Sequence, residues 1–324
     1  MILVIGGAGY IGSHFVEELI NEQDVIVLDN LSTGHSYLLN ENVKFIEGNL
    51  GDIDLLNEIF STYQIEAVIH FAASSLVGES VINPIKYYEN NVSATFNLLQ
   101  TMIAHGVKNF IFSSTAATYG IPNTDLIIES TATSPINPYG KSKLMVEWML
   151  EDFSKSYGLS YVVLRYFNAA GAHKNGRIGE SHSPETHLIP IILEHLLGER
   201  ETIAIFGNDY PTEDGTCIRD YIHVTDLANA HLISLNALLK NELESEIFNL
   251  GNGAGYSVIE VIKACEEATS KKATVVMENR REGDPAKLVA SSEKIRTMLG
   301  WTPKYNLSSI VETAWKWHSS RIKT

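Results

Sequence analysis

At 324 residues the chain is long enough for two lobes and a substantial core, since domains usually hold about 100–200 residues. Hydrophobic residues make up 44% and charged residues 19%, with nine prolines and no low-complexity run, a composition that argues against disordered and fibrous classes. The formal net charge of −15 at pH 7 repels phosphate backbones and anionic lipid, which argues against nucleic-acid or membrane binding, so an anionic small ligand needs locally placed arginines.

The opening run Met1-Ile2-Leu3-Val4-Ile5 leads directly into a glycine turn, with no basic region, long apolar segment or cleavage site ahead of it. The sequence therefore predicts a cytoplasmic protein. No apolar stretch approaches the length of about 20 residues that spans a bilayer. Cys217 and Cys265 are far apart in the chain, read as isolated thiols, and receive no role.

In chain order, short apolar runs recur at Ile2 to Ile5, Val25 to Leu28, Val43 to Ile46, Ala67 to Phe71, Asn109 to Ser113 and Tyr161 to Leu164. Their β-branched content predicts buried parallel strands. Between them, Ile11, Phe15 and Leu19 fall four apart, and Val92, Phe96, Leu99 and Ile103 keep a helical spacing. This alternation predicts an α/β fold, a doubly wound parallel sheet of Rossmann type, over residues 1–167. Residues 168–324 are then mainly a smaller mixed α/β lobe for substrate, with the chain returning to the first lobe within 219–250, where Phe248-Asn249-Leu250 reads as a strand.

The turn Gly6-Gly7-Ala8-Gly9-Tyr10-Ile11-Gly12 places glycines at its first, fourth and seventh positions, directly after a strand and before an amphipathic helix. Such a turn brings backbone amides against a pyrophosphate at the positive end of the helix. A glycine pattern alone is weak evidence; the strand–helix context gives it weight. Asp29 ends the next strand 17 residues after Gly12, where a carboxylate accepts hydrogen bonds from a ribose diol and repels a 2′-phosphate, so NAD is preferred to NADP.

Tyr139 and Lys143 lie four apart at a helix start, hence on one face and about 6 Å apart. An ammonium beside a phenol lowers the tyrosine's ordinary pKa of about 10 and makes Tyr139 a candidate general base. Isolated YxxxK spacings are common by chance. Here three features accompany it: the upstream glycine turn, Asn137-Pro138 at the helix entry, and Ser113-Ser114-Thr115 at the end of the preceding strand, where ligands bind in such sheets. Thr115 can donate its hydroxyl to the oxygen that Tyr139 deprotonates.

On these residues the chain resembles the extended short-chain dehydrogenase/reductase family, most closely its UDP-galactose 4-epimerase branch. The likeness extends through Val77-Gly78-Glu79-Ser80, Asn90-Asn91-Val92, Arg165-Tyr166-Phe167-Asn168, the run Ile205 to Thr216, Arg219-Asp220-Tyr221-Ile222-His223-Val224 and Arg281-Glu282-Gly283-Asp284-Pro285. The resemblance implies NAD contacts at Gly6, Gly9, Tyr10, Ile11, Gly12, Asp29, Asn30, Phe71, Ala72, Asn90, Ser113, Tyr139, Lys143 and Tyr166. It implies UDP-sugar contacts at Thr115, Asn168, His187, Leu188, Ile205, Phe206, Arg219, Arg281, Asp284 and Leu288, and no metal. For the arginines the physics agrees, because guanidinium forks suit pyrophosphate oxygens. Four positions depart from the family's usual residues: Asn49 for aspartate near adenine, Ser75 for a cofactor-contacting lysine, His187 for asparagine, and Leu288 at the hexose pocket.

Related enzymes on this scaffold perform dehydration with an Asp-Glu pair after the serine/threonine stretch; here Ala116-Ala117 stands there and cannot move a proton. The resemblance therefore implies epimerisation at C4 of UDP-glucose and UDP-galactose, extending to N-acetylated sugars if Leu288 leaves room. The alternatives are an NAD-dependent UDP-sugar dehydrogenase and, with no use for a base, a silent sugar-nucleotide-binding protein. A homodimer through helices near residues 91–104 and 140–155 is also implied, with Leu144, Trp148 and Met149 as the extra apolar residues.

Overall fold

A computed structural model describes residues 1–281 and 284–321; Glu282 and Gly283 of the arginine motif, and residues 322–324, lie outside the described residues. The chain runs β1 (Ile2–Ile5), α1 (Tyr10–Leu19), β2 (Val25–Asp29), β3 (Lys44–Glu47), α2 (Ile53–Thr62), β4 (Ala67–His70), α3 (Val77–Ile82), α4 (Pro84–Tyr87), α5 (Ala94–Ala104), β5 (Asn109–Thr115), α6 (Pro138–Tyr157) and β6 (Ser160–Tyr166). It continues through β7 (Asn168–Ala170), α7 (Leu188–Leu197), β8 (Ile203–Phe206), β9 (Ile218–His223), α8 (Val224–Leu239), β10 (Glu246–Leu250), β11 (Gly255–Ser257), α9 (Val258–Thr269), β12 (Val275–Glu278), β13 (Lys287–Leu288), α10 (Glu293–Leu299) and α11 (Leu307–Arg321).

Seven strands form one parallel sheet in the order β10-β6-β5-β4-β1-β2-β3. The six runs with buried-strand character are its first six strands in sequence, and Phe248 to Leu250 falls in the seventh. Their side chains alternate between two apolar layers, as period-two geometry requires. In β1, Ile2 and Val4 join the layer capped by α1 and α8, whereas Leu3 and Ile5 join the layer formed with α2, α5 and α6. Each fully buried aliphatic side chain there contributes about 1.5–3 kcal/mol relative to exposure.

A third apolar cluster sits among α7, α9, α11 and strands β8 and β9. There β9 is flanked by β11, β13 and β7, while β8 pairs with β12. The sheet parts at β6 and β7: Tyr166 ends one strand and Asn168 opens the next against Tyr221 of β9. A single residue, Phe167, thus separates a strand of the large sheet from a strand of the small one.

The helical stripe expected from Val92 to Ile103 is shorter and sits differently. Tyr88–Ser93 form a π-helical turn, and α5 begins at Ala94. Leu98, Leu99 and Met102 face the core, while Phe96 stays 38% exposed and meets Phe153 of α6 edge-on at 6.1 Å. A π turn holds one residue more than an α turn, so it resets the face that follows it.

Beneath the ends of β5 and β6 lies a buried ion pair. Arg165 donates to both oxygens of Glu147 and, at 2.9 Å, to the Tyr119 hydroxyl; Ser114 Oγ donates to Glu147, and Tyr119 donates to Asn249 of β10 at 2.7 Å. With every partner satisfied the cluster ties β5, β6, α6 and β10 together. Glu147→Ala leaves the guanidinium buried and unpaired, and should lower unfolding stability in urea by about 3–5 kcal/mol. Replacing both members, Glu147→Leu with Arg165→Leu, should recover much of that loss; a single variant as stable as the wild type contradicts the network's role.

Candidate active site

The glycine turn is tight because it has to be. Gly6 lies at φ +76°, and a Cβ there would stand 2.5 Å from the Ala72 backbone nitrogen; one on Gly12 would stand 2.3 Å from the Gly6 carbonyl oxygen. The turn therefore folds directly onto the Phe71-Ala72 backbone, whose amides both donate to the Ile5 carbonyl at 2.8 and 3.2 Å. Helix α1 starts after Gly9, which offers no side-chain cap. Its first-turn amides at Tyr10, Ile11 and Gly12 have no partner within the helix, as at any helix start, and suit an anion.

Asp29 sits buried at the end of β2, Oδ2 accepting from Ala8 N and Oδ1 from Leu31 N, both at 2.9 Å. Burial pushes its carboxyl pKa up, against the pull of those backbone bonds. Asn30 is exposed and accepts from Ser32 N at 3.0 Å. These residues fit a dinucleotide: backbone close enough to cradle a pyrophosphate, and a carboxylate placed where a ribose diol would lie.

In the π turn, Asn90 donates to Asn91 Oδ1 at 3.0 Å, and it is Asn91 that is buried. Asn91 Oδ1 accepts from Ser74 N at 2.8 Å, while its amide donates to Ser74 O and to Ser142 Oγ. The loop after β4 is thereby bound to the helix that carries Tyr139. The two unusual positions Asn49 and Ser75 are exposed, and Asn49 accepts from Gly51 N at 2.8 Å.

At the end of β5 three side chains converge. Helix α6 is capped by Asn137, whose Oδ1 accepts from Gly140 N at 2.8 Å, with Pro138 in its first turn. This fixes Tyr139 at the helix mouth, edge-on to Tyr87 at 6.5 Å. Burial pushes the Tyr139 phenol above its ordinary value, and a hydrogen bond with the Thr115 side chain pulls it back. Lys143 is buried beside them, its ammonium donating to the Ser113 carbonyl at 2.8 Å and lying 4.7 Å above the Phe112 ring. Burial brings the lysine down to about 7. The phenol's immediate partner is thus Thr115, while Lys143 is drawn to the strand-end carbonyl within its reach. Burial raises the Tyr166 phenol on the neighbouring strand strongly, and the nearby Ser113 side chain pulls it back.

On the substrate side, Asn168 donates to the Asp220 carbonyl at 3.2 Å. Arg219 forms an ion pair with Asp284 and stands opposite Leu288 across the β9–β13 pairing. Arg281 stacks its guanidinium 3.9 Å over the Phe206 ring, which follows the buried Ile205 in β8. Leu188 opens α7 and packs on the third cluster. His187 is half exposed and lies against Glu180 and Glu185, at 2.7 and 3.2 Å.

Several groups that shape the site carry no motif. His231, brought down to about 4 by burial, contacts the Ser113 hydroxyl at 3.0 Å from 118 residues away. Asp220 accepts backbone bonds from Asn252, Gly253 and Ala290, and burial pushes it up to about 6. Glu180, His182 and Glu185 escaped notice too; their only signal is a run alternating histidine and glutamate ahead of Leu188.

Comparison with known proteins agrees with this geometry. The NAD dependent epimerase/dehydratase family matches residues 2–251. The UDP-glucose 4-epimerase of Halalkalibacterium halodurans is 58% identical over 319 residues, covering 98% of this chain and 95% of that protein. A crystal structure of a UDP-glucose 4-epimerase superimposes with a TM-score of 0.97 at 52% identity, covering 99% of this chain and 98% of the other. The Brucella ovis UDP-glucose 4-epimerase in complex with NAD gives 0.94 at 46%, covering 97% of each chain. The Bifidobacterium longum UDP-glucose 4-epimerase in complex with NAD+ and UDP gives 0.94 at 38%, covering 99% and 98%. The chain belongs to the NAD dependent epimerase/dehydratase family.

Proposed function

We propose that the chain interconverts UDP-glucose and UDP-galactose by inverting C4 of the hexose, using bound NAD. The carrying observation is the convergence of Thr115, Tyr139 and Lys143 at the carboxyl end of β5, where the Thr115 side chain pulls the buried phenol down and Lys143 is held by the Ser113 carbonyl. When bound, NAD would supply the hydride acceptor and donor that inversion at C4 needs. The side chains handle the proton: Tyr139, once ionised, takes it from the 4-hydroxyl, and Thr115 orients that hydroxyl by donating to its oxygen. Lys143, held by its bond to the Ser113 carbonyl, would lie against the bound cofactor. Arg219, positioned by Asp284, and Arg281, stacked on Phe206, hold the diphosphate while the sugar turns. Residues 1–167 thus serve the cofactor and residues 168–324 mainly the UDP-sugar. Among the described residues no helix is long and apolar enough to cross a membrane, which is compatible with action on a cytoplasmic metabolite.

Incubating the protein with UDP-galactose and following the anomeric protons by NMR should show UDP-glucose forming without stoichiometric NADH; NADH matching product would instead make it a dehydrogenase. Tyr139→Phe should retain NAD and UDP binding while kcat falls by about 10² or more. Because the Thr115 hydroxyl lowers the phenol pKa, Thr115→Val should move the rising limb of the kcat/KM pH profile to higher pH, and Thr115→Ser should leave it in place. An unmoved limb in the valine variant removes Thr115 from the ionisation.

Substrate breadth turns on Leu288, half-buried opposite Arg219. Leucine leaves space for an N-acetyl group at C2 that a tyrosine would fill. Wild type should then turn over UDP-N-acetylgalactosamine, and Leu288→Tyr should lose chiefly that activity. Equal losses on both sugars contradict the gate.

A homodimer through α5 and α6 belongs to the same proposal, with a changed set of residues. Leu144 is buried within the protomer and Met149 packs on its core, whereas Trp148 is 55% exposed, with Met145, Tyr157 and Phe96 exposed on the same two helices. Sedimentation should give a dimer, and Trp148→Glu should shift it to monomer; a monomeric wild type contradicts the interface.

A further inference from the structure

The segment 180–187 links the antiparallel bridge Ala172↔Gly179 to α7, and carries Glu180, His182, Glu185 and His187. Each offers one donor atom, and the four donors all lie within 4.8 Å of one another. His182 Nδ1 is 3.2 Å from Glu180 Oε1 and 3.8 Å from Glu185 Oε2; His187 Nδ1 is 2.7 Å from Glu180 Oε1 and 3.2 Å from Glu185 Oε1. Four donors at about 2.0–2.1 Å around a tetrahedral centre stand about 3.3 Å apart, so these histidine–carboxylate separations are of the size a four-coordinate shell requires.

Two further observations point to a cation. Glu180 is 3% exposed, and its Oε1, like His182 Nδ1, is a buried polar atom that no hydrogen bond of acceptable geometry reaches among the described residues. Buried polar atoms without partners are rare and call for an ion or water. Glu180 and Glu185 are both buried, and two buried carboxylates within one cluster need compensating positive charge. Protonated His187, its imidazole raised against the pull of burial to about 10 by Glu180 and Glu185, can supply one charge; a divalent ion supplies two and takes the same atoms as ligands.

We propose that Glu180, His182, Glu185 and His187 form a structural site for a divalent transition metal of the zinc class. Two imidazoles and two carboxylates suit that class rather than calcium or magnesium, and four protein donors close a tetrahedral shell. The surroundings orient the donors. Glu185 Oε1 accepts from the amides of Thr186 and His187 at 2.7 and 2.8 Å, and Trp317 of α11 donates to the Glu180 carbonyl at 2.8 Å. His35, whose amide donates to Ala8 in the glycine turn, reaches the Ser181 carbonyl at 3.2 Å, and His182 meets the Tyr10 ring edge-on at 6.3 Å. The metal would therefore fasten the cofactor turn, the C-terminal helix and the entry to Leu188 to one point.

The test uses zinc and cobalt on the full chain after chelation and does not depend on turnover. Wild type should take up about one Zn²⁺ per chain, measured by plasma mass spectrometry after desalting. Its Tm should rise with added Zn²⁺, and Co²⁺ should give the ligand-field spectrum of a four-coordinate site. Glu180→Gln and His182→Asn should each weaken zinc affinity by at least about 10–100-fold and remove the zinc-dependent rise in Tm, with unchanged far-UV circular dichroism. Should the buried Glu180→Gln fail to fold, His182→Asn carries the comparison, since that imidazole is 26% exposed. A wild type that takes up no zinc, or variants that keep wild-type uptake, overturns the site and leaves a protonated histidine as the charge that closes the cluster.

Discussion

Everything at this site hangs on the parallel register between β5 and β6, in which Ser113, Ser114 and Thr115 stand opposite Leu164, Arg165 and Tyr166. Three consecutive residues at a strand end thereby do three jobs. The Ser113 carbonyl takes the Lys143 ammonium, the Ser114 hydroxyl joins Glu147 and Arg165 below the sheet, and the Thr115 hydroxyl meets Tyr139. Because successive strand residues face opposite ways, the middle one can be spent on structure while its neighbours point to the face that holds His231 and Tyr139. A shift of one residue would turn Thr115 away from Tyr139 and carry Ser114 out of the ion-pair network.

The electrostatics follow from burial more than from charge pairing. Lys143 is brought down to about 7 and Tyr139 is raised, both by desolvation. Neither charged form is cheap at this buried position, so the ionised phenol depends on the Thr115 side chain, which pulls its pKa down. The substrate side is arranged differently. Arg219 and Arg281 are always charged, and each is held in place, one by Asp284 and the other by the Phe206 face. The chain thus keeps positioned cations on this side, suited to an anionic ligand, despite its net charge of −15.

What could be read in the sequence was whatever local chemistry dictates. The buried strands announced themselves as apolar β-branched runs, and the glycine turn by spacing that sterics enforce at Gly6 and Gly12. The Tyr139 helix start was legible from Asn137-Pro138. Long-range pairings left no such mark: His231 reaches Ser113 across 118 residues, and Tyr119 finds Asn249 across 130. The π turn was illegible because it preserves helical composition while changing register, which is why Asn91, not Asn90, carries the buried hydrogen bonds. Leu144 failed as an interface residue for the same kind of reason, since an amphipathic pattern on α6 does not say which apolar face its own protomer keeps. His187 was read as a substrate contact in isolation. Only the fold shows it beside Glu180, His182 and Glu185.

The central claim is that one held cofactor takes hydride from C4 and gives it back to the same sugar, while Tyr139 handles only the proton. UDP-galactose carrying deuterium at C4, run to partial conversion in ordinary water, tests this directly. The account predicts UDP-glucose that keeps its deuterium at C4. Washout of the label into solvent would contradict it and replace hydride return with proton exchange.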